Sequence, residues 1–303
     1  MPEQYTIDKD FHNTRLDRWF KNKIINLPQS LIEKIIRQNK IKINKKKTKS
    51  SYRVQNGDKI EIYNIEKFKA NNKKIVSYQP SKEEKNIYDD YVIDNNDNFI
   101  VINKPSGIPV QSGTKSFKNI IDILKNTKYF ENSKPYIVHR LDKETSGVMI
   151  IAKNRQYAQL FTSLFRIRKI HKTYIAIAHG KVSNKIKILE DDLIIYEKER
   201  KIIQKAITYI KVVKNTADYS YLELNPITGR KHQLRKQLYN IGNPILGDDK
   251  YFIKKRFNKL KSKKKLMLHA FKIKFMIDNV KYNFKANYSS DFDFFLKKHF
   301  KFY

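Results

Sequence analysis

The sequence predicts an α+β protein in two folded parts, and three observations predict it. Within residues 1–65, two short stretches with apolar residues three and four apart precede small alternating runs. From residue 88 onward strand-like runs dominate, and neighbours such as Lys201–Val213 and Tyr219–Asn225 lie close enough to pair across a short turn. Between the two parts, residues 66–87 carry Lys, Asn, Ser and Pro80 with few large apolar groups, the composition of a linker. The expected organisation is therefore a small module at 1–65, a linker at 66–87 and a larger domain at 88–303.

In the first part, Leu16, Trp19, Phe20, Ile24 and Leu27 form a helical stripe that Pro28 ends. Ser30 can cap a second helix striped by Leu31, Ile32, Ile35 and Ile36. Ile41–Ile43 reads as a strand, Asn44–Lys47 as a turn and Tyr52–Val54 as a short extended piece, and Asn56-Gly57 is a tight-turn signal before Lys59–Tyr63. In the second part, strand signals at Tyr91–Ile93 and Phe99–Ile102 lead into a Gly- and Pro-containing loop, Asn103–Gly113. Tyr157, Leu160, Phe161, Leu164 and Phe165 give an amphipathic helix, and His171–Gly180 alternates as a strand. Thr228 can cap a helix whose first turns are basic, and Pro244–Tyr251 follows as a loop. Lys254–Lys265 is a basic run, Leu266–Phe275 and Val280–Ala286 are strands, and Asp291–Phe300 is a final helix.

The formal charge of +34 over 303 residues makes a polyanion the simplest partner. Only 12 of the 64 basic residues are arginine, leaving 52 lysines, a skew that A/T-rich coding would produce without any selection for binding. An arginine in such a chain therefore stands out as a place where the planar fork matters, and Arg140, Arg230 and Arg235 all fall in motif-like stretches. There are no cysteines, which removes disulfides, thiolate metal sites and cysteine nucleophiles and fits a reducing compartment. The N-terminus lacks the apolar core of a signal peptide, and no apolar run approaches the roughly 18–20 residues of a membrane span. A cytoplasmic protein is expected.

Tyr136-Ile-Val-His-Arg-Leu-Asp-Lys-Glu-Thr-Ser-Gly147 sets a polar loop between two apolar segments. On an extended backbone Arg140 and Asp142 share a face, which fits either a supported functional carboxylate or an incidental surface ion pair. Tyr174 shares a strand face with Ala176 and Ala178, leaving room for a base over its ring or simply a half-buried core position. Histidines are scattered, carboxylates do not cluster, and neither a phosphate-binding GxxxxGK[ST] loop nor a GxSxG elbow is present.

Two resemblances draw these segments together. Arg15-Leu-Asp-Arg-Trp-Phe20, Leu31-Ile-Glu-Lys-Ile-Ile-Arg37, Ile41-Lys-Ile-Asn44 and Val54-Gln-Asn-Gly-Asp-Lys-Ile60 resemble the S4 RNA-binding domain. Asn103-Lys-Pro-Ser-Gly107, His139–Gly147, Lys172-Thr-Tyr174, Thr228-Gly-Arg-Lys-His-Gln-Leu-Arg235, Pro244-Ile-Leu-Gly-Asp248 and Leu268-His-Ala270 resemble, in family order, the RluA-type pseudouridine synthases. With the S4-like module in front, the chain is similar to the bacterial branch acting on large-subunit (23S) ribosomal RNA. Leu234 stands where Ile is frequent, and Lys replaces Arg at many peripheral positions.

The resemblance implies a pseudouridine synthase fold, a mixed and mostly antiparallel sheet with flanking helices and a central RNA cleft. It implies Asp142 as the essential carboxylate, Tyr174 as the residue that stacks on the base and helps remove the C5 proton, and Arg235 as the cation paired with Asp142. Arg140 would help flip the uridine. RNA or substrate contact is further expected of Lys104, Thr145, Gly147, Arg230, His232 and Gln233, and of Arg15, Arg18, Lys34 and Arg37 in the S4-like helix pair. Neither metal nor cofactor is expected, since isomerising uridine needs no redox or energy input. The expected partner is 23S rRNA before or during large-subunit assembly, with the enzyme a monomer and no membrane involved. Two rivals stand beside this: a tRNA-directed synthase of the same family, and a non-enzymatic RNA-binding assembly factor.

Overall fold

The computed structural model falls into two compact units, Met1–Val76 and Ser77–Tyr303. It describes residues 2–25, 27–64, 66, 78–81, 83, 89–112, 118–197, 200–252 and 265–301, with backbone only at 196, 197 and 200. The linker expected at 66–87 and the basic run at 254–265 lie largely outside these residues.

The first unit runs β1 (Glu3–Thr6), β2 (Thr14–Arg15), α1 (Leu16–Lys23), α2 (Gln29–Arg37), β3 (Ile41–Ile43), β4 (Lys46–Lys47), β5 (Arg53–Val54) and β6 (Lys59–Ile62). An antiparallel sheet ordered β1-β6-β3-β4 carries Ile41, Ile43, Ile60 and Ile62 against Leu16, Trp19 and Phe20 of α1 and Ile32, Ile35 and Ile36 of α2. The helical stripes bury as their spacing predicts, but α1 ends at Lys23, so Leu27 is buried beyond the helix and Pro28 is not what ends it. Two further local expectations change. Pro28 occupies the cap position of α2 with φ −55° and no side-chain hydrogen bond, so Ser30 lies inside the first turn instead of capping it. Asn44 and Lys45 both adopt positive φ, 48° and 64°, making the two-residue turn of a β3–β4 hairpin.

The second unit adds β7 (Val92–Asn95), β8 (Phe99–Lys104), α3 (Ile120–Leu124), β9 (Tyr136–Ile137), β10 (Ser146–Ala152), α4 (Arg155–Arg166), β11 (His171–His179), β12 (Ile188–Glu197), β13 (Arg200–Asn215), β14 (Tyr219–Pro226), α5 (Gln233–Asn240), β15 (Leu268–Ile277), β16 (Val280–Lys285) and α6 (Ser290–Phe300). One sheet is ordered β12-β13-β14-β11-β15-β10-β8-β7, with β16 beside β15 and β9 beside β10. Every pairing is antiparallel except β10–β15, so the sheet is mixed and mostly antiparallel. β12 is an edge strand, and Glu190, Asp191 and Asp192 break its apolar pattern, as charge often does on a sheet edge.

Alternation along the central strands explains the flanking helices. Ile100 and Ile102 of β8 and Met149 and Ile151 of β10 pack with Ile120, Ile123 and Leu124 of α3. Phe99, Val101, Val148 and Ile150 face the other way, against Phe161 of α4 and Phe275 of β15. A strand buried on both faces reads as a continuous apolar run, and all seven residues of β10 are buried. At its start Gly147 has φ +113°, and a Cβ built there would lie 2.2 Å from the Ala270 carbonyl oxygen on β15. Gly147 is therefore the residue that lets β10 and β15 approach. It is not among the residues that line the cleft with Asp142.

Candidate active site

The loop holding Asp142 lies between β9 and β10 and belongs to no strand. Arg140 and Asp142 are therefore not carried by a strand, though both line the same cleft. The loop is anchored from both sides of Asp142. Leu141 is buried with the α3 cluster, and the Thr145 amide donates to the Asp142 carbonyl at 3.1 Å. The Lys104-Pro-Ser-Gly107 stretch braces it further: Gly107 N donates to Lys143 O at 2.9 Å and Ser106 Oγ to Glu144 O at 2.7 Å.

Lys104, expected at the RNA, is instead found completing this brace. Its side chain is fully buried, and Nζ donates to the carbonyls of Pro105 (2.8 Å), Ile108 (2.8 Å) and Lys143 (3.1 Å). Burial pushes its pKa down to about 7, opposed by Glu144 and Asp142. Three carbonyls match the three donors of the ammonium form.

Asp142 opens into a cleft of about 1000 Å³ with Arg140, Thr145, Tyr174, Arg230, His232 and Arg235 also on its walls. The structure thus gathers most of the expected catalytic-domain residues around one cavity. Tyr174 sits on β11 at a register shift between Thr173 and Tyr174. Burial, and then the charge of Asp142, push its phenol pKa up, so the ring offers a neutral O–H and not a phenolate base. Thr145 is buried, and its Oγ1 has no hydrogen-bond partner among the described residues. Arg140 is exposed, and Arg230 reaches the Lys205 carbonyl at 3.1 Å.

Arg235 departs from expectation. Its guanidinium is buried on α5 and forks onto Asp248, Nε–Oδ2 2.6 Å and Nη2–Oδ1 2.7 Å, with Asp249 at 3.3 Å. The carboxylate of Asp248 is fully buried, so the two charges complete one another away from water. The group beside Asp142 is instead the imidazole of His232, whose Nε2 lies 3.7 Å from Oδ1. Burial, then Arg235, Lys250 and Lys231, lower the imidazole pKa against the opposing pull of Asp142.

Gln233 also proves structural. Its oxygen accepts from Thr228 Oγ1 (2.8 Å) and Arg230 N (3.0 Å), and its nitrogen donates to Ile207 O (3.1 Å) and Thr208 Oγ1 (3.0 Å). Thr228 is spent in this network and does not cap α5, whose cap position is His232. In the first unit Arg18, Lys34 and Arg37 are exposed, whereas Arg15 is held by Asp17, with Nη2–Oδ2 at 2.6 Å.

Sequence reasoning missed four groups on or next to the cleft. Arg166 and Arg168 leave the end of α4 exposed on its rim, and Lys172 lies half-buried within it, its pKa lowered by burial. Tyr251 donates to or accepts from His232 Nδ1 at 2.9 Å. A usable signal existed for the arginines: five of them line the cleft against four lysines, in a chain with 52 lysines and 12 arginines. Among the described residues no group of His, Asp or Glu gathers as a metal site, and no helix is long and apolar enough to cross a membrane.

A mixed sheet presenting an anchored carboxylate, a neutral tyrosine and a ring of cations in one cleft describes an RNA-modifying enzyme, and the chain belongs to the pseudouridine synthase family. The family profile described as RNA pseudouridylate synthase matches residues 98–240, and that of the S4 domain matches 14–60. The chain is 34% identical to "Ribosomal large subunit pseudouridine synthase C" of Buchnera aphidicola subsp. Schizaphis graminum over 89% of its own length and 88% of the relative. It is 38% identical to the protein of the same name from Rickettsia conorii, over 79% of this chain and 82% of that one. Among solved structures, "Human RNA Pseudouridylate Synthase Domain Containing 4" superposes with a TM-score of 0.59 at 26% identity, covering 71% of this chain and 96% of that one. The chain is thus an RNA pseudouridine synthase with an S4 domain in front.

Proposed function

We propose that this enzyme converts specific uridines of 23S ribosomal RNA to pseudouridine, with Asp142 as the essential carboxylate. The observation that carries the mechanism is Asp142 in an anchored loop, on the wall of the same cleft as Tyr174. Isomerisation breaks N1–C1′, turns the base and joins C5 to C1′; C5 gives up a proton and N1 gains one, so neither oxidant nor energy source is consumed. Attack on the ribose, attack on the base and promotion of glycal formation all start from an ionised carboxylate at this place.

The neighbouring residues take graded roles. Tyr174 supplies a ring for the uracil and a neutral hydroxyl, and Thr145 Oγ1 supplies an unsatisfied polar atom at the cleft wall. Arg140, Arg166, Arg168 and Arg230 meet phosphates and help hold the uridine out of its stack, which costs a few kcal/mol. Arg18, Lys34 and Arg37 of the S4 module add backbone contacts. The substrate assignment is supported by the printed names of the Buchnera and Rickettsia relatives. The enzyme acts as a monomer, in the cytoplasm, before or during assembly of the large subunit.

The decisive experiment maps pseudouridines in all RNA of a strain lacking the gene, complemented with wild type or Asp142→Asn. Loss confined to 23S rRNA, restored by wild type alone, is expected. Loss confined to tRNA, or an unchanged map, refutes the assignment.

A further inference from the structure

We propose that His232 is the positioning residue for the Asp142 carboxylate, itself oriented by Tyr251. The proposal rests on the reading of Asp142 as the carboxylate of a uridine isomerase.

The geometry begins with the backbone. His232 has φ 54° and ψ 30°, a left-handed conformation that side-chain-bearing residues seldom adopt and that persists where surroundings enforce it. The enforcement is visible on its C-terminal side, where the four hydrogen bonds of Gln233 lock the first residue of α5. A right-handed residue at 232 would send the side chain elsewhere. The left-handed one delivers the imidazole into the cleft beside Asp142.

The ring is then oriented from behind. Its Nδ1 lies 2.9 Å from Tyr251 Oη, with the two rings edge to face at 75°. A phenol donating to Nδ1 leaves the proton on Nε2, the nitrogen that faces Asp142 Oδ1 at 3.7 Å. Tyr251 is itself fixed. The amides of Lys250 and Tyr251 both donate to Asp248 Oδ1 at 2.9 Å, and the Arg235 guanidinium, clamped on the same carboxylate, lies 5.3 Å from the Tyr251 ring centre. Arg235 and Asp248 thus hold Tyr251 behind the imidazole, while the Arg235 charge also acts on Asp142 from a distance, beyond ion-pair contact.

This arrangement has a chemical consequence. A neutral imidazole N–H can orient one oxygen of Asp142 without placing another full charge against it. The groups facing His232 are Asp142, Arg235, Lys231, Lys250 and Tyr251, and burial together with the three cations favours the neutral ring. At 3.7 Å the contact is electrostatic and longer than a hydrogen bond, so the orienting N–H acts on Oδ1 across a short gap.

The test uses the full-length enzyme and 23S rRNA, measuring the single-turnover rate of pseudouridine formation and, separately, RNA affinity. His232→Leu removes the N–H and is expected to slow the reaction roughly 100-fold while RNA affinity changes less than about threefold. His232→Gln, which returns an N–H near the place of Nε2, is expected to recover at least about tenfold of that loss. Tyr251→Phe, which leaves the tautomer unset, falls between. His232→Asn tolerates the left-handed backbone but carries its amide at the Nδ1 side; it is expected to fold like wild type and be as slow as the Leu variant. A Leu variant as fast as wild type, a loss confined to RNA affinity, or a Gln variant no faster than Leu overturns the positioning role. Wild type that makes no pseudouridine in the RNA overturns the isomerase reading and this proposal with it.

Discussion

Arg235 grips Asp248 with two hydrogen bonds, Nε to Oδ2 at 2.6 Å and Nη2 to Oδ1 at 2.7 Å, and both side chains are buried. A lysine keeps the charge but cannot reproduce the fork. Arg235→Lys is therefore expected to cost about 2 kcal/mol, read as a lower urea midpoint with an unchanged slope. An unchanged midpoint would mean that one hydrogen bond suffices.

Asp142→Asn preserves shape and removes the charge. The rate of tritium release from labelled uridine in RNA is expected to fall by about 10⁴-fold with RNA binding retained. Substantial residual release would show that another group does the chemistry.

Gly147 combines φ +113° with a would-be Cβ 2.2 Å from a backbone oxygen that cannot move alone. Gly147→Ala is expected to lose more than about 3 kcal/mol of stability, seen as a depressed melting temperature. Normal melting would contradict the close β10–β15 approach.

In the S4 module the exposed cations and the paired one should separate. Replacing Arg18, Lys34 and Arg37 together with alanine is expected to reduce the slope of log affinity against log salt by about 2–3, since each phosphate contact contributes roughly 0.7–0.9. Arg15→Ala should change that slope little, because its fork is on Asp17. A slope unaltered by the triple change would place the RNA elsewhere.

Two histidines with lowered pKa values set an acid limit. His139 accepts from the Ile150 amide at 2.9 Å, and burial, then Lys172, lower its pKa to about 3. Burial lowers His269 to about 4. Their folded values lie below the unfolded one of about 6.5, so the unfolded chain takes up protons first on acidification. Their contribution to stability is full above about pH 6.5 and is lost progressively toward pH 3–4. The urea midpoint should fall between pH 7.5 and pH 5, less so in His139→Gln; an equal midpoint at both values would show that neither ring is held neutral.

Much of the fold was legible because period and burial agree locally. The stripes of α1, α2 and α4 and the apolar run Val148–Ala152 each mark an element whose buried face follows from side-chain spacing alone. β12 was not legible, because its carboxylates interrupt the pattern on an edge that tolerates charge. For the site, the sequence by itself singled out Asp142, Tyr174 and the Thr228–Arg235 stretch, since their residue types and spacing carry the family resemblance. It could not tell which of them face the cleft. Lys104, Gly147 and Gln233 stand in the family's motifs as Asp142 does, yet the structure engages them with three carbonyls, a close strand pairing and, for Gln233 at the cleft wall, a hydrogen-bond knot. Only the tertiary structure decided that Arg235 belongs to Asp248 and that His232 stands beside Asp142. Those partners come from separate segments, 13 residues apart in one pair and carried by different loops in the other. Pairing across a fold depends on where chains cross, which no local spacing encodes.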